Sequence, residues 1–454
     1  MWWITIAVLL FSVIAWFVLK SLYPGAPPQL DQEEWWGPND LKGKQDTTIR
    51  PFQIKFSEQM INDLKQRLKN LRQPVPPLED QAFKYGFNSN QLSCWIKYWA
   101  DEYPFAEREN FLNQYPQFKT NIQGLDVHFI RVTPEVPPTV TVVPLLLVHG
   151  WPGSVREFYE AIPLLTKPLE GADFAFELII PSLPGYGFSD APVRPGLGPA
   201  KIAVVFKNLM ARLGFTKYYV QGGDWGSIVV AAMATMFPEH VLGQHSNMLF
   251  VSNNCAKFKI LLGAVLPSLV IESDVAHRIY PLTSYFAHLV LELGYMHLQA
   301  TKPDTIGVAL TDSPTGLLAY ILEKFSSWTR WENRSAQDGG LSSFTREQLV
   351  DNLMMYWSSN SITTSMRLYA AAFNQKSGVD LDRYPSNVPV WALQVENEIF
   401  YQPPSVLRTK YTNLLGVTVL KNGGHFIALE LPEIFAKDVF KAVKAFREWY
   451  QKNK

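Results

Sequence analysis

One five-residue stretch, Gly222-Gly223-Asp224-Trp225-Gly226, constrains the fold of this chain more than any other feature. It follows an aromatic and branched run at 217–221 that predicts a strand, and it precedes an apolar run at 227–233 that predicts a buried helix. A strand, a tight glycine-rich turn and a helix are typical of a nucleophile elbow, whose central residue projects into a cleft. Here that central residue is Asp224. A buried turn with a capping aspartate is the alternative interpretation of so short a motif.

Buried strands and helices alternate on both sides of this turn. Apolar or branched runs at 144–148, 176–180, 389–395 and 417–420 are typical of strands that are covered on both faces. Helical patterns lie between and after them, at 154–165, 199–213 and 432–450. Because strands that alternate with helices build parallel sheets, the sequence predicts an α/β fold with a doubly wound parallel sheet.

The part of the chain ahead of the first parallel strand has a different pattern. Trp95 and Trp99 lie four residues apart on one helical pattern, and we interpret them as core residues. His128 lies within an alternating strand pattern, and we interpret it as structural. The predicted elements here are helices at 57–71 and 90–103 and a hairpin at 118–132.

Residues 250–385 interrupt the alternation with helical patterns and loops, which predicts a helical cap inserted above the sheet. The proline-rich stretch 24–51 is expected to be an arm, part of which docks through Trp35 and Trp36. The predicted organisation is a transmembrane anchor at 1–20, a linker arm at 21–50, an N-terminal region at 51–135, the first part of the core at 136–250, the cap at 251–385 and the second part of the core at 386–454.

The first segment, residues 2–19, carries no charged side chain. Eighteen helical residues span about 27 Å, which is close to the thickness of the endoplasmic-reticulum bilayer. A cleaved signal peptide is the alternative, but the segment lacks a basic start and a small-residue cleavage site. The basic residues that follow it, beginning with Lys20, place the body of the protein in the cytosol by the positive-inside rule.

Composition excludes several classes of function. Lys and Arg together number 41, as do Asp and Glu, so the formal net charge is zero and no basic block indicates a nucleic-acid partner. The only cysteines, Cys94 and Cys255, provide neither a disulfide framework nor a zinc site, and we expect both to be reduced. No metal or cofactor is indicated, and oligomeric state is not predicted.

The order of three residue types along the chain supports the interpretation of Asp224 as a nucleophile. In folds with this elbow the nucleophile precedes an acid, and the acid precedes a histidine. A glutamate, Glu396 or Glu398, follows the strand at 389–395, and His425 follows the last strand. The two glutamates are two residues apart, so an extended chain would point both the same way and spacing does not choose between them.

An aspartate in the elbow indicates a particular chemistry. A carboxylate that attacks a saturated electrophilic carbon forms an ester, and water activated by a histidine cleaves that ester. The substrate is then an epoxide or an alkyl halide. An epoxide oxygen needs a proton donor, and Tyr295 and Tyr369 in the cap are candidates, whereas a halide needs N–H donors such as tryptophans.

These residues resemble those of the microsomal epoxide hydrolases, including the insect juvenile hormone epoxide hydrolases. The resemblance runs from the N-terminal anchor to the last helix, with landmarks at 77–90, His149-Gly-Trp-Pro-Gly153, Gly222-Gly-Asp-Trp-Gly-Ser227, 294–299, 301–304 and Gly423-Gly-His-Phe426. It implies an α/β-hydrolase fold with a helical cap domain, an N-terminal epoxide-hydrolase extension over residues 51–135 and an N-terminal membrane anchor.

The resemblance also implies roles for individual residues. Asp224 would be the nucleophile, His425 the base, and Glu398, in preference to Glu396, the acid that orients the base. Tyr295 and Tyr369 would donate hydrogen bonds to the epoxide oxygen. The backbone N–H groups of Trp151 and Trp225 would form the oxyanion hole, and a cis bond is expected before Pro152.

The implied reaction converts a lipophilic epoxide to a vicinal diol through an aspartyl ester, without cofactor or metal. The implied location is the endoplasmic-reticulum (microsomal) membrane, with one span and the catalytic body in the cytosol. The stretch 245–251 looks more like the insect hormone enzymes, which favours juvenile hormone as substrate. Foreign arene and alkene oxides remain the other possibility.

Three other functions fit the sequence less well. A haloalkane dehalogenase would use the same Asp224, but the two tyrosines and the anchor disfavour it. A non-catalytic lipid- or hormone-binding protein on the same scaffold is disfavoured because nucleophile, acid and base are all present. A serine esterase fits least, because Ser189 lacks the second glycine of an elbow and Ser227 lies outside one.

Overall fold

The computed structural model describes residues 25–373 and 379–453. The predicted anchor at 1–20 lies outside these residues. Within the described ranges, no single helix has both the length and the apolar composition needed to cross a membrane. The helices at Pro303–Asp312 and Pro314–Ser327 meet both requirements when taken together, but the pair is bent by 116°.

One nine-stranded sheet organises the described residues. Its spatial order is β1-β2-β3-β5-β4-β6-β7-β8-β9, with antiparallel pairing from β1 through β5 and parallel pairing from β5 through β9. The predicted parallel sheet is therefore confirmed, with an antiparallel edge added. The strands are β1 Arg50–Phe52, β2 Gln117–Ile122, β3 Leu125–Val132, β4 Thr141–Val148, β5 Phe174–Pro181, β6 Tyr218–Gly222, β7 Val241–Ser246, β8 Val390–Asn397 and β9 Leu414–Gly424.

Helices cover the sheet and form the insertion above it. The helices of the N-terminal region are α1 Glu58–Lys69, α2 Leu92–Lys97 and α3 Phe105–Leu112. Those between the core strands and at the end are α4 Ile162–Leu165, α5 Pro199–Arg212, α6 Asp224–Met236, α14 Pro404–Leu407, α15 Ile427–Glu430 and α16 Pro432–Lys452. The insertion holds α7 Asn254–Val265, α8 Leu282–Glu292, α9 Gly294–Thr301, α10 Pro303–Asp312, α11 Pro314–Ser327, α12 Arg346–Trp357 and α13 Ile362–Phe373.

The sheet order places a crevice where the site was predicted. Strand β4 lies between β5 and β6, so the chain leaves β4 toward one side of the sheet and β6 toward the other. Ligands of open α/β sheets bind at the carboxyl ends of strands at such a switch point. Val148 ends β4 and Gly222 ends β6, and the two are paired. Asp224 and the loop at 149–153 therefore meet in this crevice.

The arm that precedes the sheet docks as expected through a tryptophan. Trp36 is 2% exposed, and its N–H donates to the carbonyl of Gln123 at 2.8 Å. The guanidinium of Arg194 donates to the carbonyls of Trp35 and Gly37, at 3.0 and 2.8 Å. The arm therefore lies on the hairpin of β2 and β3 and on the loop before α5.

Two predicted helices differ from the structure in detail, and two strands were missed. The helix expected at 154–165 is a 3-10 turn at Val155–Phe158 followed by α4, since Pro163 lacks the N–H that a continuous helix would need. The helix expected at 90–103 passes into a π turn at Tyr98–Glu102 before Pro104. Strands β1 and β7 were not predicted, because β1 has only three residues and β7 ends in buried polar residues, such as His245, instead of an apolar run.

The predicted core residues lie where the patterns placed them. Trp95 and Trp99 are 6% and 0% exposed, so their interpretation as core residues is confirmed. His128 is fully buried between Ser182 Oγ, at 2.9 Å, and Gln117 Oε1, at 2.8 Å. Burial lowers the pKa of His128 to about 3, which keeps its ring neutral.

Candidate active site

Asp224 stands at the turn between β6 and α6 with a backbone φ of 47°. This left-handed conformation is uncommon for a residue with a Cβ, and it is the strain expected at an elbow that projects a side chain into a cleft. The turn is tight because a Cβ on Gly226 would lie 1.9 Å from the carbonyl oxygen of Val148. Glycine at 226 therefore lets the start of α6 approach the end of β4.

Two backbone N–H groups hold the Asp224 carboxylate. The N–H of Trp151 donates to Oδ1 at 2.7 Å, and the N–H of Trp225 also hydrogen-bonds the carboxylate. A Cβ on Gly150 would lie 2.1 Å from Oδ1, so glycine there allows this approach. Oδ2 is left facing His425.

His425 lies between two carboxylates. Its Nε2 is 3.6 Å from Asp224 Oδ2, and its Nδ1 is 2.8 Å from Glu398 Oε1. Glu398 is in turn fixed by the backbone N–H of Ile399, which donates to the same Oε1 at 2.8 Å. The three residues form a continuous chain of acid, imidazole and elbow carboxylate, which is the arrangement of a nucleophile, its base and the group that orients the base.

The structure separates the two glutamates that sequence spacing left open. Glu398 has a side chain that is 3% exposed and contacts His425. Glu396 has a side chain that is 36% exposed, and its carboxylate is 3.6 Å from Nε2 of His277 on the surface. Of the two, Glu398 is therefore the one placed in the site.

A cap helix holds the loop that carries Trp151. Asn352 on α12 donates to the carbonyl of Pro152 at 2.8 Å, and the hydroxyl of Tyr356 donates to the carbonyl of Gly153 at 2.6 Å. The peptide bond between Trp151 and Pro152 is cis, as expected from the resemblance. The position of the Trp151 N–H is thus fixed by both the core and the cap.

The cap places the two predicted tyrosines against the two tryptophans. The ring of Tyr295 on α9 stacks on Trp151, with centroids 5.1 Å apart and planes 10° from parallel. The ring of Tyr369 on α13 meets Trp225 edge to face at 4.7 Å, and the two tyrosine rings are 5.9 Å apart. The tryptophans whose N–H groups bind Asp224 therefore also position the tyrosines.

Burial sets the protonation states in this site. It raises the pKa of Tyr295 and of Tyr369 well above the usual value, and the charge of Asp224 adds to this, so both hydroxyls keep their protons. Burial also raises the pKa of Asp224, although His425 and the two N–H donors oppose that shift. For His425, burial alone would lower the pKa, but Glu398, Asp224 and Glu157 outweigh it and raise the pKa to about 9.

Comparisons with known proteins agree with this geometry. The family described as "Epoxide hydrolase N terminus" matches residues 49–158, and the family described as "alpha/beta hydrolase fold" matches residues 143–269. Over an alignment of 447 residues, the chain is 59% identical to the juvenile hormone epoxide hydrolase of Bombyx mori. The alignment covers 98% of this chain and 97% of that relative. Over an alignment of 448 residues, it is 44% identical to epoxide hydrolase 1 of Oryctolagus cuniculus. That alignment covers 96% of this chain and 97% of the relative.

The chain belongs to the epoxide hydrolase family. Solved structures agree: the crystal structure of juvenile hormone epoxide hydrolase from Bombyx mori matches with a TM-score of 0.91 and 61% identity, covering 93% of this chain and 100% of that one. The structure of Aspergillus niger epoxide hydrolase matches with a TM-score of 0.72 and 26% identity, covering 91% of this chain and 99% of that one. The protein is an epoxide hydrolase with the α/β-hydrolase fold.

Two further glutamates of this epoxide hydrolase approach His425 and were not singled out from the sequence. Glu430 accepts the backbone N–H groups of Gly424 and Phe426, both at 3.0 Å, so it fixes the peptide on each side of His425. Glu157 lines a small cavity together with Asp224 and His425. Burial raises the pKa of each of these glutamates to about 8. The available sequence signal for Glu430 was its position five residues after His425. Glu157 had no such signal, because its segment was predicted to be a helix in which it would be an ordinary polar residue.

Another histidine follows a strand but takes no part in this cluster. His149 comes directly after β4, and its Nε2 accepts the N–H of Leu183 at 3.1 Å while its Nδ1 lies 3.0 Å from the carbonyl of Gly150. Burial lowers the pKa of His149 to about 4, so its ring is neutral. Both ring nitrogens of His149 thus contact backbone groups of the surrounding loops.

Proposed function

We propose that Asp224, His425, Glu398, Tyr295 and Tyr369 carry out epoxide hydrolysis in two steps, through an ester on Asp224. The observation that carries this proposal is the placement of His425 between Glu398, at 2.8 Å, and Asp224, at 3.6 Å. A carboxylate, an imidazole and a second carboxylate in this order supply a nucleophile and an oriented base for water.

In the first step, Oδ2 of Asp224 attacks one carbon of the epoxide and the ring opens. Oδ1 stays bound to the N–H of Trp151, which leaves Oδ2 as the free nucleophile. Tyr295 and Tyr369 donate hydrogen bonds to the oxygen that becomes an alkoxide. Both hydroxyls are protonated, because burial raises their pKa values well above the usual one.

In the second step, His425 takes a proton from water, and the water oxygen attacks Cγ of the Asp224 ester. The N–H groups of Trp151 and Trp225 stabilise the oxyanion that forms on Oδ1. Ester formation has by then removed the charge of Asp224, which is one of the charges that raise the pKa of His425 to about 9. The first step therefore lowers the pKa of His425, so that more of its ring is neutral and free to take a proton from water.

A single turnover in ¹⁸O-water with enzyme in excess over a lipophilic epoxide tests these roles. The heavy oxygen is expected in the peptide that carries Asp224, and the first diol released is expected to lack it. If the label instead enters the diol directly and Asp224 stays light, water attacks the epoxide itself and the nucleophile assignment fails.

We propose juvenile hormone as the substrate class, in preference to foreign arene or alkene oxides. The support is the 59% identity to a relative named juvenile hormone epoxide hydrolase, against 44% to a relative named epoxide hydrolase 1. The expected kcat/KM for juvenile hormone exceeds that for styrene oxide by roughly tenfold or more. Equal values for the two substrates would contradict the hormone assignment.

We propose that the enzyme works at the endoplasmic-reticulum membrane, held by residues 1–20, with its catalytic body in the cytosol. The uncharged run at 2–19 supports this. Exposed apolar residues of the cap support it too, since Phe258, Leu261 and Val265 on α7 and Phe286 and Val290 on α8 are all more than half exposed. The chain around them has no Asp, Glu, Lys or Arg at 260–271 or 279–291, as expected for helices that rest in a lipid interface.

Flotation with phospholipid vesicles tests the membrane proposal. The full chain is expected to float and to resist high salt, and removal of residues 1–24 is expected to weaken flotation strongly. Replacing Leu261 and Val290 with Glu in the shortened chain is expected to remove the remaining binding. A full chain that stays with the soluble fraction would contradict the proposal.

A further inference from the structure

A small cavity lies behind the catalytic carboxylate, on the side of the loop at 149–153. It is lined by Asp224, His425, Glu157 and Asn247, together with residues of the loop and of α15. Its volume is about 10 Å³, which is room for about one water molecule. A buried water needs two to four polar partners, and this cavity offers the side chains of a base, an ester-forming carboxylate, a second carboxyl and an amide.

Local backbone geometry directs Glu157 into this cavity. The 3-10 turn at Val155–Phe158 is capped by Ser154, whose hydroxyl accepts the N–H of Arg156 at 3.2 Å. Gly153 leaves the space that the Glu157 carboxyl occupies, because a Cβ on Gly153 would lie 1.4 Å from Oε1 of Glu157. Gly153 and Glu157 are therefore sterically coupled, because a side chain at 153 would displace the Glu157 carboxyl.

The Glu157 carboxyl lines the same cavity as both reacting groups and is coupled to them by charge. His425 lowers the pKa of Glu157 and the charge of Asp224 raises it, although burial is the largest cause and leaves the pKa at about 8. In turn, Glu157 is among the carboxyls that raise the pKa of His425. Glu157 has no ion-pair partner of its own among the described residues, unlike Glu160, whose carboxylate binds Arg156 at 2.8 Å.

Asn247 is the other polar side chain at the cavity, and one end of it is already engaged. Its Oδ1 accepts the Nε2 group of Gln221 at 2.9 Å. This fixes the amide so that the group left for the cavity is the NH₂, a donor. A water that must give one proton to His425 needs an acceptor for its other proton, and a carboxyl oxygen of Glu157 meets that need.

We propose that this cavity is the binding site of the hydrolytic water and that Glu157 is the residue that positions it. One O–H of the water points to Nε2 of His425 and the other to a carboxyl oxygen of Glu157, which aims the lone pair at Cγ of Asp224. The proposal rests on the ester mechanism proposed above, and Glu157 acts on its second step alone.

The step balances without an added reactant. The water oxygen bonds to Cγ of the ester while its proton passes to Nε2 of His425. The bond between Cγ and the ester oxygen then breaks, and the departing oxygen takes the proton back from His425. The other proton of the water leaves the new carboxyl group of Asp224 and compensates for the proton that the alkoxide oxygen of the first step takes up. The diol therefore leaves with two hydroxyl groups, one of them holding an oxygen that belonged to Asp224, and the water oxygen remains in the carboxylate. Glu157 holds the water throughout and exchanges no electrons.

Single-turnover kinetics of the Glu157→Gln variant test the proposal. Enzyme in excess is mixed with styrene oxide and quenched in acid, and mass spectrometry of the intact chain follows the ester adduct as it forms and decays. The expected result is ester formation within about threefold of the wild type and ester decay slower by roughly tenfold to hundredfold, since misplacing a reacting group costs up to about 10². Normal ester formation also shows that the variant is folded.

Two further variants separate water positioning from general support of the loop. Glu160→Gln is the matched control, because it alters a glutamate of the same segment that lies outside the cavity, and both steps are expected to keep wild-type rates. Gly153→Ala keeps the Glu157 carboxyl but displaces it, and it is expected to slow ester decay as Glu157→Gln does.

The outcomes that overturn the proposal are distinct from failure of the mechanism. Unchanged decay in Glu157→Gln would remove Glu157 from the reaction. Equal slowing of both steps would make Glu157 a structural support of Asp224. If the wild type forms no ester adduct at all and the ¹⁸O of the solvent enters the diol directly, it is the proposed ester route that falls.

Discussion

The core half of the proposed active site depends on charge, whereas the cap half depends on aromatic packing. In the core, Asp224, His425 and Glu398 are linked by contacts of 3.6 and 2.8 Å, and each changes the pKa of a neighbour. In the cap, Tyr295 and Tyr369 are fixed by ring contacts of 5.1 and 4.7 Å to Trp151 and Trp225. The tyrosines stay neutral because they are buried.

This difference matches the demands of the two chemical steps. Ester hydrolysis needs a base whose affinity for a proton changes during the reaction, and coupled charges in a buried site provide that change. Ring opening needs proton donors that are already in place and neutral, and rigid aromatic contacts provide them. We therefore expect variants of the core half to slow ester decay and variants of the cap half to slow ester formation.

The largest effect is expected from His425→Gln. Without the base, overall turnover should fall by about 10³ to 10⁴-fold, while the first step still proceeds and one equivalent of ester accumulates. Intact-mass spectrometry of the quenched enzyme measures the adduct. Asp224→Ala serves as the control, because it should form no adduct. A His425→Gln enzyme that neither turns over nor accumulates ester would break the assignment of the core half to the second step.

The next largest effect is expected on stability, at the ion cluster that joins the two halves. Asp351 on α12 is fully buried and accepts hydrogen bonds from Arg156 Nε at 2.9 Å and from Arg108 Nη2 at 2.6 Å. Asp351→Asn removes the carboxylate that Arg156 shares with Arg108 and leaves the buried Arg156 with Glu160 alone, which should cost about 3 to 5 kcal/mol of unfolding free energy. Thermal or denaturant unfolding measures this change.

A surface pair gives the matched comparison for Asp351. Asp173 binds Arg447 at 2.7 Å, but its side chain is 73% exposed. Asp173→Asn should therefore cost no more than about 1 kcal/mol, because water screens exposed pairs. Similar losses in the two variants would show that the cap is not held to the core through Asp351.

Removal of the tyrosine hydroxyls tests the cap half. Tyr295→Phe and Tyr369→Phe keep the ring contacts with Trp151 and Trp225, so the loss should be confined to the proton donors. Each variant should slow ester formation by about 10² to 10³-fold and leave the decay of preformed ester near the wild-type rate. Tyr320→Phe is the control, since Tyr320 also contacts Trp151, with ring centroids 5.6 Å apart, but its hydroxyl accepts from Gln299. Slower decay in the tyrosine variants would contradict the division between the halves.

The same division separates the site residues that local sequence patterns could predict from those that needed tertiary structure or a resemblance to known enzymes. Asp224 and His425 were found from local patterns, because a strand, a glycine turn and a helix are adjacent in sequence. Tyr295 and Tyr369 lie 74 residues apart, on helices α9 and α13, and tertiary packing alone brings their rings to 5.9 Å. No period or spacing in the sequence encodes that contact, so position in the predicted cap made them candidates and the resemblance to known enzymes assigned their role.

Three glutamates show where reasoning from sequence patterns stopped in the core half. Glu396 and Glu398 would point the same way in a regular strand, but the pairing of β8 with β9 is irregular between Val395 and Asn397, and β8 ends at Asn397. The regular alternation of side chains along a strand therefore does not apply at these two glutamates. Glu157 was missed because a continuous helix was expected over its segment, whereas the chain forms a short 3-10 turn there.

A smaller effect is expected from Glu398→Gln. The amide still accepts a hydrogen bond but no longer supplies the charge that raises the pKa of His425, and the ring loses its preferred orientation. Ester decay should slow by about 10-fold to 100-fold, with ester formation unaffected. Glu396→Gln is the matched control and should behave as the wild type, since Glu396 contacts His277 on the surface. The reverse pattern would move the acid of the triad to Glu396.

The smallest effect, and the sharpest check of the charge coupling, is expected in the pH dependence of ester decay. His425 must be neutral to accept a proton from water. Burial lowers its pKa, but the carboxylates of Glu398, Asp224 and Glu157 together raise it to about 9 in the free enzyme. Below that pKa the protonated form dominates, so the decay rate should rise as the pH increases.

The ester should shift this profile to lower pH, because alkylation removes the negative charge of Asp224 while Glu398 keeps its own. Single-turnover decay is therefore expected to level off below pH 9, while titration of His425 in the free enzyme, followed by NMR of its ring protons, has its midpoint near 9. The difference between the two midpoints measures the contribution of the Asp224 charge. Coincident midpoints would mean that the two groups titrate independently, and the first step would then do nothing to prepare His425 for the second.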